Sequence, residues 1–362
     1  MNRRGVCYDV GRVMWGQDWR PEFSSDEALR ELQIIRDDLH CNAVRICGQD
    51  LGRLLTAGRH ALDCGLEVWL SPELWNHGPG ETLTYIGEAA EAAKALHRHR
   101  PGQVVFSVGS EATLFMAGIV EGGSVFERLK HPEFWRRVQA GEHNGPLNAF
   151  LAKAADRVRE VFHGPVTYAS VPLETVDWSR FDYVSVDLYR GAEVKDRFTS
   201  VLQRYFGFER PVAITEFGCC TYRGAADAGG RGFAILDISP GKDSTPSRLN
   251  GRYVRDETEQ AREVTEMLSI FDTAEVDATF VMTFAAPLNP TSDDPLYDLD
   301  TASYSLVKSF GGRLGPLGTA HPGAPWDRHR HGTTYPGMPW EPKESFRAVA
   351  SFYAAHTAPE AG

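Results

Sequence analysis

Eight short apolar runs, none long enough for a helix, recur along this chain of 362 residues, and helical patterns separate most of them. The runs fall at 5–11, 42–48, 66–71, 104–111, 166–170, 182–189, 211–218 and 278–287. Between them, apolar residues at three- and four-residue spacing predict helices. Leu29, Leu32, Ile35 and Leu39 form the first behind a Ser25-Asp26 cap; the others span 51–64, 81–100, 147–162, 194–206, 256–272 and 344–356. Only 171–181 replaces the expected helix with a short irregular link. Strands joined through helices run parallel, and a parallel sheet is covered on both faces, which suits runs this apolar. Eight such units argue for closure. The expected fold class is therefore α/β, a single (β/α)8 TIM barrel domain over 1–362. It carries loop insertions at 115–146 and 219–255 and a C-terminal extension, 288–362, packed on the barrel. An open doubly wound sheet is the alternative, but the first unit lacks a GxGxxG turn.

At 42% hydrophobic and 24% charged residues the chain has ample apolar surface for a core without staples. A formal charge of -11 disfavours nucleic acid and anionic membrane as partners, since both demand a basic footprint. No apolar run approaches the roughly 18 residues of a membrane span, and residues 1–4 lead straight into the first strand, so a cytoplasmic protein is expected. Six cysteines, at 7, 41, 47, 64, 219 and 220, show no CxxC spacing and read as reduced, small core residues.

The seventh run, Val-Ala-Ile-Thr-Glu-Phe-Gly from Val212, places Glu216 at the end of an interior strand. A buried carboxylate costs several kcal/mol unless something compensates, so Glu216 belongs at the C-terminal mouth of a barrel, where such enzymes keep their chemistry. The fourth run has the same grammar and ends in Ser110-Glu111. Two carboxylates on two strand ends suffice for acid/base and nucleophilic cleavage of a glycosidic bond. On a barrel the same rim collects Asp9, Arg45, Glu73, Trp75, His77, Asp187 and Tyr189. Acids in such number must shift one another's pKa, pair with cations such as Arg45, or hold a metal.

In these features the chain resembles the clan A glycoside hydrolases, (β/α)8 barrels with an acid/base Glu ending strand four and a nucleophile Glu ending strand seven. The resemblance implies that Glu111 and Glu216 are the catalytic pair, 105 residues apart, in a retaining mechanism with no cofactor and no metal. It further implies that Arg45 braces the nucleophile and that the Tyr189 hydroxyl orients it. Glu216 is then expected ionised and Glu111 protonated near neutrality, with Phe106 or Phe115 desolvating the latter. Two positions depart from the clan. Ser110 stands where the clan has an Asn before the acid/base Glu, and Phe284 stands where it has a Trp platform after strand eight.

Trp75, Tyr222, Trp340 and Trp15 are candidates to stack on sugar faces, and Glu73, Asn76 and His77 to bond hydroxyls. Arg223, Arg231, Arg252 and Arg255 would suit an anionic substrate if they cluster. The partner expected is thus a small carbohydrate or glycoside. Two other readings stay open. A lyase, isomerase or cyclase could use the rim acids Asp9, Glu73 and Asp187 with one His around a divalent ion. A barrel that binds sugar without turnover is the other. His97 and His99, two apart on a helix, diverge, and His321, His329 and His331 read as loop.

Overall fold

The computed structural model describes residues 1–14, 17–237, 247–310 and 330–356. Trp15, His321 and His329 lie outside them. The eight runs become β1 (Arg3–Asp9), β2 (Ala43–Gly48), β3 (Glu67–Pro72), β4 (Val104–Ser110), β5 (Val166–Ser170), β6 (Val184–Asp187), β7 (Val212–Phe217) and β8 (Ala278–Val281). Each pairs in parallel with its sequence neighbour, and β8 pairs with β1 from Arg3↔Ala278 to Val6↔Val281, so the sheet closes. The fold is an α/β barrel of eight parallel strands, as the alternation of runs and helices predicts.

Strand periodicity divides two apolar layers. Val6, Tyr8, Val44, Ile46, Val68, Leu70, Phe106, Val108, Val184, Val186, Val212 and Ile214 face outward and pack under the helices. Cys7, Ala43, Trp69, Val105, Tyr183, Ala213, Ala278 and Phe280 face inward and fill the lower barrel. Space there is tight enough to dictate a glycine: a Cβ at Gly5 would lie 2.5 Å from the Phe280 ring.

The helices are α1 (Ser25–Asp37), α2 (Leu51–Asp63), α3 (Pro79–His99), α4 (Asn144–Arg159), α5 (Phe198–Gln203), α6 (Glu257–Thr273) and α7 (Glu344–Ala355). The cap of α1 is Ser24 rather than Ser25, its side chain accepting the Glu27 N–H. The helix expected over 194–206 survives only as α5 between two 3-10 turns, Lys195–Arg197 and Arg204–Phe208; Phe198, Val201 and Leu202 are its buried residues. Between β5 and β6 a single 3-10 turn, Trp178–Arg180, covers the barrel with one buried indole. The connection after β4 is not structureless: it folds into short helices at Ala112–Phe115, Val125–Lys130 and Pro132–Gln139.

The segment after β8 is clamped by buried ions. Lys343 Nζ lies 2.9 Å from Asp300, both fully buried, and Arg255 from the long β7 loop reaches Asp300 at 2.7 Å and Asp298 at 3.1 Å. Breaking one partner of such a group leaves an uncompensated charge, which makes the clamp structurally decisive. The six thiols are free, and among the described residues no helix is long and apolar enough to cross a membrane.

Candidate active site

The C-terminal ends of the strands form the mouth of the barrel. Asp9, Arg45 and Asp187 share the inward phase of Cys7, Ala43 and Tyr183, so simple alternation delivers them to it. Ser110 and Glu216 do not: they share the phase of Val108 and Ile214, which face the helices. Each is turned by a bulge. In β7, Ile214 and Phe217 pair with Thr279 and Val281, and Ile214 and Glu216 pair with Val186 and Asp187, so β7 carries one extra residue against both neighbours. In β4, Ser107 and Ser110 pair with Thr167 and Ala169, again one residue in excess. Bulges re-aim side chains in this way beside functional sites.

Two guanidiniums organise one side of the mouth. Fully buried Arg45 donates from Nη1 to Glu216 Oε1 at 2.6 Å and from Nη2 to Glu73 Oε1 at 3.1 Å. Arg12, from the loop after β1, donates from Nε to Asp9 Oδ2 at 2.6 Å, and its Nη1 lies 3.4 Å from Glu73 Oε2 and 3.5 Å from Glu216 Oε1. Its guanidinium also sits over the rings of Trp19 and Trp75, 5.1 and 5.2 Å from their centroids. Burial alone would lower both guanidinium pKa values, but the neighbouring groups, Glu216 among them for both, outweigh it and raise them. Burial still pushes the Glu73 carboxyl above the usual range, with both guanidiniums opposing it. Tyr189 completes the cradle, its hydroxyl donating to Glu216 Oε2 at 3.3 Å.

Across the mouth the picture changes. Carboxylate oxygens of Glu111, Asp187 and Glu216 lie within 4.8 Å of one another. Glu111 follows the β4 bulge in the left-handed region, φ 47°. A non-glycine residue costs about 1–3 kcal/mol there, so its surroundings must impose the conformation. They do: the Glu111 N–H donates to Ala169 O and the Ala112 N–H to the Tyr168 hydroxyl. Tyr168 in turn donates to buried Glu174, which also takes the N–H groups of Thr113 and Val171. The Glu111 carboxyl itself receives no hydrogen bond from a described residue. Burial pushes its pKa well up, and Asp187, Glu216 and Glu174 add to the rise in that order. Phe106 contributes nothing direct, since it faces the helices, and Phe115 lies flat on Trp75.

Asp187 is buried and receives the Ser110 hydroxyl on Oδ2 at 3.0 Å. Burial first, then the Glu216 charge, raise it to about 7, against Arg45, Thr215 and Ser110. Its Oδ1 has no hydrogen-bond partner within range, although the Thr215 hydroxyl, itself unpartnered, is near enough to oppose the rise.

The remaining candidates are held elsewhere. Phe284 is fully buried in the helix layer between Tyr8 and Trp340 and offers no face to the mouth. Trp340 donates its indole N–H to Glu31 in the same layer. Tyr222 packs on Tyr253 and donates to Gly232 O. Trp75 comes close to the site, but one face is stacked on Phe115 at 4.1 Å and Arg12 lies over its ring. Of the rings expected to stack on sugar, Trp75, Tyr222 and Trp340 are covered by the folded chain itself. Asn76, at φ 62°, accepts on its Oδ1 from the Val125 N–H and Arg128, which commits that oxygen to tying down the loop after β4. His77 is half-exposed beside Glu81. The arginines of the β7 loop form no anion cradle: Arg255 is committed to Glu257, Asp298 and Asp300, while Arg223, Arg231 and Arg252 stand in solvent. Arg12, Tyr168 and Glu174 escaped the sequence reading. Arg12 had a local signal, an Asp9-x-x-Arg12 turn through Gly11; Glu174, in the irregular link, had none.

The closed barrel of eight parallel strands is a fold that solved structures share. Among solved structures, β-glycosidase BGL167 matches over 100% of this chain and 98% of its own, with TM-score 0.53 and 11% identity. β-Glucosidase 1317 matches over 92% and 89%, with TM-score 0.51 and 11% identity. The β-glucuronidase of Ruminococcus gnavus matches over 78% of this chain at 14% identity and TM-score 0.51, and this chain spans 43% of its length. Likeness at this identity establishes the fold. No family model and no curated protein matches the sequence.

Proposed function

We propose that this chain cleaves a glycosidic bond with retention of configuration, with Glu216 as nucleophile and Glu111 as acid and then base. The observation that carries the reading is the approach of their carboxylate oxygens to within 4.8 Å. Retaining enzymes need their carboxyl groups about 5–5.5 Å apart, whereas an inverting pair stands about 6.5–9.5 Å apart to admit a water. The environments split the roles. Arg45 and Tyr189 fix the Glu216 oxygens, so one carboxylate is presented for attack on the anomeric carbon. Glu111, without a donor and with a raised pKa, keeps a proton for the leaving oxygen. The bond from the anomeric carbon to that oxygen breaks as the bond to Glu216 forms. A water then attacks the glycosyl-enzyme, Glu111 takes its proton, and Glu216 leaves as the carboxylate.

Labelling with a mechanism-based fluoro-glycoside series, followed by peptide mapping, tests this. A covalent sugar on Glu216 is expected; release of no aglycone from any aryl glycoside, with no adduct, would remove the assignment. The same three carboxylates give a second reading, a divalent-cation-dependent lyase or isomerase. Against it, Arg45 already pairs with Glu216, one of the three. Persistence of activity in EDTA separates the two.

A further inference from the structure

We infer that the sugar carries a free, positively charged amino group on the carbon next to the anomeric centre, and that Asp187 is the residue that receives it. The inference rests on the retaining reading above, because Glu216 locates the anomeric carbon.

Three observations support it. First, the acids at the mouth outnumber the cations. Among the described residues Asp9, Glu73, Glu111, Asp187 and Glu216 face only Arg12 and Arg45. No described lysine or histidine bonds to any of the five, and His77, the histidine expected there, is turned to Glu81. Both arginines are spent on Asp9, Glu73 and Glu216, so an anionic sugar would find no free cation, and a cationic one would find acids without partners.

Second, the excess has an address. Asp187 is 2% exposed, and its Oδ1 accepts no hydrogen bond. The groups around it are Glu216 and Thr215 on β7, Ser110 and Glu111 at the end of β4, Tyr189 beyond β6, and Arg45 across the barrel. Ser110 supplies one neutral donor to Oδ2, the Thr215 hydroxyl lies nearby without completing a hydrogen bond to it, and Arg45 bonds Glu216 and Glu73 instead. A buried acceptor left without a donor costs about 1–3 kcal/mol, more when charged, which a ligand donor recovers. An ammonium supplies both the donor and the charge.

Third, the geometry picks the position. Asp187 lies within 4.8 Å of both the nucleophile and the acid. With Glu216 at the anomeric carbon and Glu111 at the leaving oxygen, the substituent one carbon along the ring is the one that can reach a third carboxylate so placed. The preferred class is therefore a 2-amino-2-deoxy glycoside with its amine free. Acetylation would remove the charge and add bulk against Ser110 and Thr215.

The test compares aryl glycosides of glucosamine, glucose, N-acetylglucosamine and glucuronic acid, and likewise their galacto counterparts, with the wild type and with Asp187→Asn at pH 7.5. The wild type should favour the free amine over the matching hydroxyl by at least about tenfold in kcat/KM. In Asp187→Asn that ratio should collapse toward one, whatever the absolute rates, with thermal melting confirming that the variant is folded. A wild-type ratio at or below one overturns the inference, as does a ratio that Asp187→Asn leaves unchanged. If no aryl glycoside is cleaved, the glycosidase reading has failed and calorimetry with free glucosamine, galactosamine, glucose and galactose decides this one separately. Binding confined to an amine and lost in Asp187→Asn supports it; equal binding of sugar and amine, or no binding, sinks it.

Discussion

On the β1–β3 side of the mouth, Asp9 and Glu73 each lie against an arginine, whereas across the barrel Glu111 and Asp187 pair with none among the described residues. Glu216 stands between the two sides, bonded to Arg45 yet within 4.8 Å of both unpaired acids. Carboxylates buried beside guanidiniums form a fixed ionic floor whose strength lies in geometry. Carboxylates buried beside one another hold protons instead, because desolvation and like charge both disfavour the ionised form. One half of the rim thus positions; the other half is able to exchange protons at neutral pH.

The difference is broken most directly by Glu216→Gln, which should lower kcat by about 10⁴-fold or more on any cleaved aryl glycoside, since covalent chemistry is lost. Glu111→Gln should lose about 10²–10⁴-fold, and less as the leaving group becomes more acidic, because a good leaving group needs no proton. Equal losses across leaving groups would contradict the acid role. Next in size is Arg45→Met. Its removal strands Glu73 and Glu216 without their shared cation and should cost about 3–5 kcal/mol in urea unfolding.

The proton-holding half is sharpened by pH. Asp187 is raised from the ordinary carboxylate range to about 7, so the folded protein holds a proton that the unfolded chain releases near pH 4. Folding stability should therefore fall as pH climbs from about 4 to 7, and Asp187→Asn should flatten that slope, gaining on the order of 2 kcal/mol over the wild type at pH 8. Denaturant titrations at pH 5 and pH 8 measure it; parallel curves for wild type and Asp187→Asn would show that Asp187 holds no extra proton in the folded state. Activity should decline on the alkaline side as Glu111 loses its proton, since its pKa too is raised. The smallest effect belongs to His77→Ala: an exposed pair with Glu81 contributes about 0–1 kcal/mol, and thermal melting should barely move.

Much of this was legible in the chain. Eight runs alternating with helices argued for a closed parallel sheet, and strand phase alone turned Asp9, Arg45 and Asp187 inward. The rings are not legible in this way, for one physical reason: an aromatic residue near a strand end is as useful for covering the core as for facing a ligand. Phe284, Tyr222 and Trp75 are consumed by Trp340, Tyr253 and Phe115, partners that local sequence does not reveal.

Composition and periodicity by themselves determined that the strands are buried, how many there are, and that carboxylates end the fourth and seventh. They did not determine that Ser110 and Glu216 point inward. Alternation sends both toward the helices, and each is reversed by one extra residue in its strand, which exists only relative to the register of its neighbours. Pairing is a property of two strands at once, so the last turn of each side chain into the site was decided by the closed barrel.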